Sequence, residues 1–231
     1  MNRRYQSGFT IIEVVLFLAI SGVMAVGLLV GMGAAISSQQ YRDSVQSYAD
    51  YLRGQYSRVV GVENDRSTDV TCPLGGDTTQ RGRSDCVIVG RYVHAQDNGT
   101  EYISQPIYAL QSGDTWNYAL GDADGNYATN WKASTRLVGQ TSRSARVSLV
   151  VWRDPDQGYI RASLGDTLIT QDDLGAYLTS HQNATLGGAD NEICIIDDNV
   201  LVGSRQSVFI GNSAGSGDAI RVGNSSEGCS A

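Results

Sequence analysis

A run of 28 residues, Phe9 to Ile36, contains one ionisable side chain, Glu13. At about 1.5 Å per residue, a helix of this length exceeds the ~30 Å hydrocarbon core of a bilayer. The basic segment before it, residues 1–8, includes Arg3 and Arg4. The apolar run is too long for the core of a secretory signal, so we expect it to be kept as a membrane-spanning helix. The preceding arginines place the N-terminus in the cytoplasm and the remainder across the membrane.

Glu13 lies five positions into this run. An ionised carboxylate in hydrocarbon costs several kcal/mol unless it is paired, so it indicates a functional partner. An amine created by cutting the chain before Phe9 would be such a partner, because two charges that are each costly in lipid become tolerable when they meet.

The segment Gly8-Phe9-Thr10-Ile11-Ile12-Glu13 after a short basic leader resembles the class III signal of type IV pilins and type II secretion pseudopilins. The resemblance implies cleavage between Gly8 and Phe9 by a prepilin peptidase and N-methylation of Phe9. It also implies extraction from the lipid by a membrane platform with a cytoplasmic ATPase. Subunits then polymerise through this helix, and Glu13 neutralises the amine of a neighbouring subunit.

The function expected from this resemblance is that of a structural subunit and not an enzyme. The subunit begins as a single-pass protein of the cytoplasmic membrane with its head outside the cytoplasm, and later joins a surface pilus or a secretion pseudopilus. The head after the helix spans residues 62–231, which is larger than many major pilins carry and favours a minor subunit.

The helix is predicted to continue beyond the membrane. From Tyr41 to Val59 apolar residues recur at spacings of three and four, which is one face of an amphipathic helix. No proline interrupts Phe9 to Val60, and Gly61 provides a C-terminal stop. The sequence therefore divides into a leader (1–8), a transmembrane and polymerisation helix (9–36), its amphipathic continuation (37–61) and a head (62–231).

The head is predicted to be mostly antiparallel β, which gives an α+β fold with the sheet covering the amphipathic stripe. Asp97-Asn98-Gly99 is a hairpin signal between two apolar runs, and a short helix is expected over residues 171–178. The predicted strands are residues 86–93, 101–110, 145–152, 159–164, 192–196, 200–202, 207–210 and 219–222.

The chain has four cysteines, none of them in the short Cys-x-x-Cys spacing of zinc ribbons or redox motifs. Disulfides suit an exported head. Of the three connectivities, we prefer Cys72 with Cys86 and Cys194 with Cys229, because each pair closes a polar, Gly-rich loop. In the chain-entropy model these loops stabilise by about 3 and about 4 kcal/mol.

A cation-binding loop is the best ligand candidate in the head. Asp122, Asp124 and Asn126 alternate oxygen donors around glycine, a pattern that suits Ca²⁺. The stretch lacks the Gly and Glu of an EF-hand, and an ordinary Asx-type turn is the alternative. No other cofactor is indicated.

Two other functions compete with that of a structural subunit. In the first, a DNA-uptake or adhesion pilin captures its ligand through arginines such as Arg205 and Arg221. The formal charge of −7, which becomes −9 without Arg3 and Arg4, argues against nucleic acid. In the second, Gly211 to Gly215 forms a hydrolase nucleophile elbow around Ser213. Its histidine base is missing from the later sequence, since His94 and His181 both precede Ser213.

Overall fold

A single long helix carries a two-sheet head. The computed structural model describes residues 10–61, 72–75, 85–140, 146–182, 191–197, 205–211 and 217–229. Helix α1 (Ile11–Val60) has 50 residues and ends at Gly61, whose amide donates to the carbonyl oxygen of Ser57. The continuous helix and its stop at Gly61 are as predicted. A second helix, α2 (Gln171–Gln182), is one turn longer than expected.

The strands form two antiparallel sheets. The first sheet contains β1 (Cys86–Gln96), β2 (Glu101–Ser112), β3 (Thr115–Leu120), β4 (Gly125–Ala128), β6 (Ser148–Arg153) and β7 (Ile160–Gly165). Its strand order is β3-β2-β1-β6-β7, with β4 also paired to β2. The second sheet contains β5 (Ser134–Leu137), β8 (Asn191–Ile196), β9 (Gln206–Ile210) and β10 (Ile220–Asn224), in the order β10-β9-β8-β5. The α+β prediction is confirmed.

The first sheet lies between the two helices. Along β6, Leu149 and Val151 pack in the cluster with α1, whereas Val150 and Trp152 pack in the cluster with α2. This alternation follows from the two-residue period of a strand. The predicted stripe of α1 is wholly buried against this sheet and the second one, at Tyr41, Val45, Tyr48, Leu52, Tyr56 and Val59.

The predicted hairpin between β1 and β2 turns at Asp97–Gly99. Asn98 and Gly99 both have positive φ, 60° and 75°. A Cβ on Gly99 would lie 2.3 Å from the carbonyl oxygen of Thr135, so only glycine fits where the turn meets β5. Strands β3, β4 and β5 were not predicted, and the strand predicted at 200–202 lies outside the described residues.

The structure contains two disulfides, Cys72–Cys86 and Cys194–Cys229, in the pairing preferred from the sequence. The second bond fixes the C-terminal segment to β8. The carbonyl oxygen of Cys229 also accepts hydrogen bonds from Arg136 at 2.8 Å and Arg205 at 3.3 Å. The segment after β10 therefore packs on the face of the second sheet opposite α1.

A buried guanidinium joins α1 to the first sheet. Arg91 on β1 is 1% exposed and donates two 2.5 Å hydrogen bonds to the carboxylate of Asp124. It also donates to Gln55 on α1 at 3.2 Å and to Ser104 on β2 at 3.3 Å. Such a network is stable only while its members remain paired.

We expect Asp124→Asn to destabilise the head by about 2 kcal/mol or more, because it leaves a buried guanidinium without its counter-charge. Thermal unfolding of the full chain in detergent, followed by near-ultraviolet circular dichroism, measures this. Asp122→Asn is the matched control, because Asp122 is exposed two positions away and should change stability by no more than about 0.5 kcal/mol. Equal melting of both variants would show that the pair contributes nothing.

Tyrosines fill much of the interface between α1 and the sheets. Rings of Tyr48 and Tyr102 lie 5.1 Å apart, and Tyr51 stacks on Tyr127 at 4.4 Å. Burial raises the pKa of Tyr51 to about 12 and raises the pKa of Tyr48, Tyr56 and Tyr102 well above 10. These phenols therefore stay neutral in the folded protein at a pH where they ionise in the unfolded chain.

Because the folded-state pKa values are raised, the stability that these tyrosines contribute is complete below pH 10 and is lost as pH rises from 10 towards 12 and above. The hydroxyl of Tyr56 is buried with no hydrogen-bond partner among the described residues. We expect Tyr56→Phe to leave stability at pH 7 unchanged or increased and to reduce the loss at pH 11, as thermal melts at the two values will measure. Tyr159→Phe, at an exposed position, should behave as wild type at both.

Candidate assembly helix

No residue of the described head covers the first half of α1. Its 18-residue window of highest mean hydropathy, 2.6, has no buried residue, and by length and composition α1 could cross a membrane. The exposed apolar side chains are Ile11, Ile12, Val14, Val15, Leu16, Phe17, Leu18, Ile20, Val23, Met24, Val26, Leu28, Leu29, Val30, Met32 and Ile36. A surface this apolar on every side requires lipid or other helices around it.

Glu13 closes the N-terminus of this helix. The Thr10 hydroxyl caps the amide of Glu13 at 3.3 Å, and the Glu13 carboxylate accepts from the Thr10 amide at 3.2 Å, forming a capping box. The Thr10 hydroxyl lies 3.2 Å from the same carboxylate oxygen. The carboxylate is thus solvated by its own helix terminus, and it is exposed to a partner. Gly8 and Phe9 lie outside the described residues.

Four glycines interrupt the apolar half, Gly22, Gly27, Gly31 and Gly33. A Cβ at any of them would meet nothing within 4 Å, so nothing packed against them within the chain requires glycine there. Gly27 and Gly31 are one turn apart on the same face, a spacing that lets a second helix approach closely. The glycines therefore suit contact between helices of different subunits.

The second half of α1 is held rigidly by polar contacts. The Tyr41 hydroxyl accepts from the amide of Gln206 at 2.6 Å and lies 3.1 Å from the carbonyl oxygen of Ile195. It therefore bridges β8 and β9 beyond the last residues that they pair. Ser44 donates to the carbonyl oxygen of Asn130 at 2.5 Å. These bonds fix the rotation of the second half of α1 against the head.

In the predicted calcium loop, the guanidinium of Arg91 takes the place of a metal ion beside Asp124. Asp124 is bound by Arg91, and Arg58 on α1 lies 3.8 Å from the same carboxylate. Asp122 is exposed, and Asn126 is an exposed residue of β4 opposite Ile103. Calcium at this loop stays a prediction, one in which the ion would compete with a bidentate guanidinium for Asp124. Sequence reasoning missed Arg91, which lies on another strand and carries no local motif.

The other candidate residues do not come together as a catalytic group among the residues described. His94 stacks on Tyr92 with ring centres 5.0 Å apart, and burial lowers its pKa. His181 stacks on Tyr177 at the end of α2, and Ser213 lies outside the described residues. Glu192, Cys194 and Cys229 are close enough to bind a metal, but both sulfurs form the disulfide.

Comparison with known proteins bears on the same N-terminal segment. The family model of the prokaryotic N-terminal methylation motif matches residues 3–29, which include Gly8, Phe9 and Glu13. Neither the curated proteins nor the solved structures gave a match. The motif is the class III signal of type IV pilins, and it opens a long apolar helix that carries an antiparallel β head. Over its first 29 residues the chain therefore carries the N-terminal methylation motif that type IV pilins and pseudopilins share.

Proposed function

We propose that this chain is a minor subunit of a type IV pilus or a type II secretion pseudopilus, made as a precursor and assembled through α1. One observation carries the proposal: a single helix is buried along one stripe of its second half and is exposed along a first half whose one ionisable side chain is Glu13 and which carries the methylation motif. The minor role is supported by the size of the head and its two disulfides.

Processing is proposed at the bond between Gly8 and Phe9, where a prepilin peptidase removes the basic leader and Phe9 is methylated on its new amine. Removal of Arg3 and Arg4 leaves an N-terminus whose charge is a single amine beside Glu13. The mature chain stays in the cytoplasmic membrane, with its head outside the cytoplasm, until a platform driven by an ATPase extracts it.

Assembly is proposed to depend on Glu13. Among the described residues, the donors to its carboxylate are the amide and hydroxyl of Thr10. A hydrogen-bonded carboxylate in lipid still lacks a counter-charge, and the amine of a neighbouring subunit supplies one. This pairing stabilises the packed helices more than the separate ones, so it favours polymer over stored monomer.

Intact mass and N-terminal sequencing test the proposal, on protein from membranes and from sheared filaments, with and without the peptidase. We expect a mature chain that begins at methylated Phe9 and is found in filaments. Glu13→Gln keeps the shape of the side chain but removes its charge, and it should reduce filament recovery about tenfold or more, as for a pair worth about 1.4 kcal/mol.

Asp43→Asn is the matched control for charge, because it removes an exposed carboxylate of α1 beyond the apolar run and should assemble normally. Gly8→Val should leave the chain uncut. A wild-type chain that keeps Met1 and never leaves the membrane would refute both the processing and the assembly role.

A further inference from the structure

Two grooves meet at the half-buried ring of Trp116 on β3. One, of about 400 Å³, lies between β3 and α2, and the other, of about 480 Å³, lies towards the turn that joins β2 to β3. The indole nitrogen of Trp116 donates to the carboxylate of Asp156 at 2.8 Å, which fixes the ring as the wall shared by both grooves. A fixed aromatic wall loses little conformational entropy when a ligand binds.

Strand β3 is an edge of the first sheet in the described part of the chain, and the groove beside α2 is lined by Gln171, which bonds to the outward backbone of β3. The side chain of Gln171 accepts from the amide of Leu120 at 2.7 Å and donates to the carbonyl oxygen of Tyr118 at 3.1 Å. These two residues therefore direct backbone groups away from β2. Strand alternation places the amide and carbonyl of Trp116 on the same side, where no described residue bonds to them.

The Gln171 amide imitates a neighbouring strand. It offers one donor and one acceptor to residues two apart on β3, as the N–H and C=O of one residue in a paired parallel strand do. Gln171 satisfies only Tyr118 and Leu120, so the outward amide and carbonyl of Trp116 have no partner among the described residues. An extended peptide entering from the turn would continue the ladder, by the pairing through which many sheets bind ligands.

The grooves carry negative charge, which favours a peptide with basic side chains. Asp85 lines one groove and Asp172 the other, and the described lining residues include no Lys or Arg. Asp156 adds a third carboxylate at the shared wall. Cationic side chains would meet these carboxylates, and an Arg can also stack on indole.

We propose that the edge of β3 at Trp116 binds an extended, Arg- or Lys-containing segment of another protein. Backbone pairing with Trp116 gives affinity, and the acidic grooves on either side select basic side chains. This surface lies on the head and does not depend on cleavage or polymerisation, so it goes beyond the proposed filament role.

The test uses the full chain in detergent and labelled eight-residue peptides with blocked ends, measured by fluorescence anisotropy. An alternating Thr-Arg peptide should bind. Its Thr-Glu analogue should bind at least about tenfold more weakly, and so should a Thr-Arg peptide N-methylated at alternate residues, which cannot donate to the ladder. Equal binding of the N-methylated peptide would refute strand pairing, and equal binding of the Thr-Glu peptide would refute charge selection.

Variants locate the site. Asp172→Asn should weaken binding about threefold at low salt, whereas Asp43→Asn on α1 should not. Trp116→Val keeps the backbone amide, and Trp116→Pro removes it at an edge position that tolerates proline, so the proline variant should bind more weakly than the valine variant. If the wild-type chain does not bind the Thr-Arg peptide but the Arg81→Ser, Arg83→Ser double variant does, then the chain's own arginines occupy the grooves. That result would overturn the proposal.

Discussion

The architecture follows from one helix, α1, whose two halves need different surroundings. The first half of α1 is apolar on every side and cannot be covered by the head, while the second half has one apolar stripe. A sheet face is the natural cover for a stripe, and here two sheets share it. The head is therefore built on the last 20 or so residues of α1, and the first half is left for lipid or other helices.

Polar contacts fix the rotation and the register of α1 against the two sheets. Apolar burial alone would allow α1 to slide or rotate, because it has no direction. The Tyr41 hydroxyl bonds to the backbone of Ile195 and Gln206, where the pairing of β8 and β9 ends, and Arg91 bonds to Gln55 and Asp124. Moving the helix by one residue would leave these buried groups unpaired at about 1–3 kcal/mol each or more. The register of the exposed half is thus fixed by groups near Tyr41 and Gln55.

What could be predicted from the sequence was what local patterns determine. The stripe of α1 follows from spacing, and the Asn98-Gly99 turn from its need for positive φ. Strand β4 reads Gly-Asn-Tyr-Ala and β5 buries Thr135 and Arg136, so neither shows the apolar alternation of a strand. Asp124 looked like a ligand for a metal because its real partner, Arg91, lies 33 residues earlier and meets it only in the fold.

The N-terminal segment and the head differ in how strongly their sequences are constrained. In the proposed assembly, the N-terminal segment crosses lipid, presents Glu13 to a neighbouring subunit and leaves its glycine face open to other helices, and the methylation motif matches in this segment. The head must only cover a stripe and pair its buried polar groups, which many strand arrangements can do. Its outer features, the grooves at Trp116 among them, are constrained by neither demand. The proposed assembly function therefore depends on the helix, whereas the proposed binding of a basic segment depends on the β3 edge of the head.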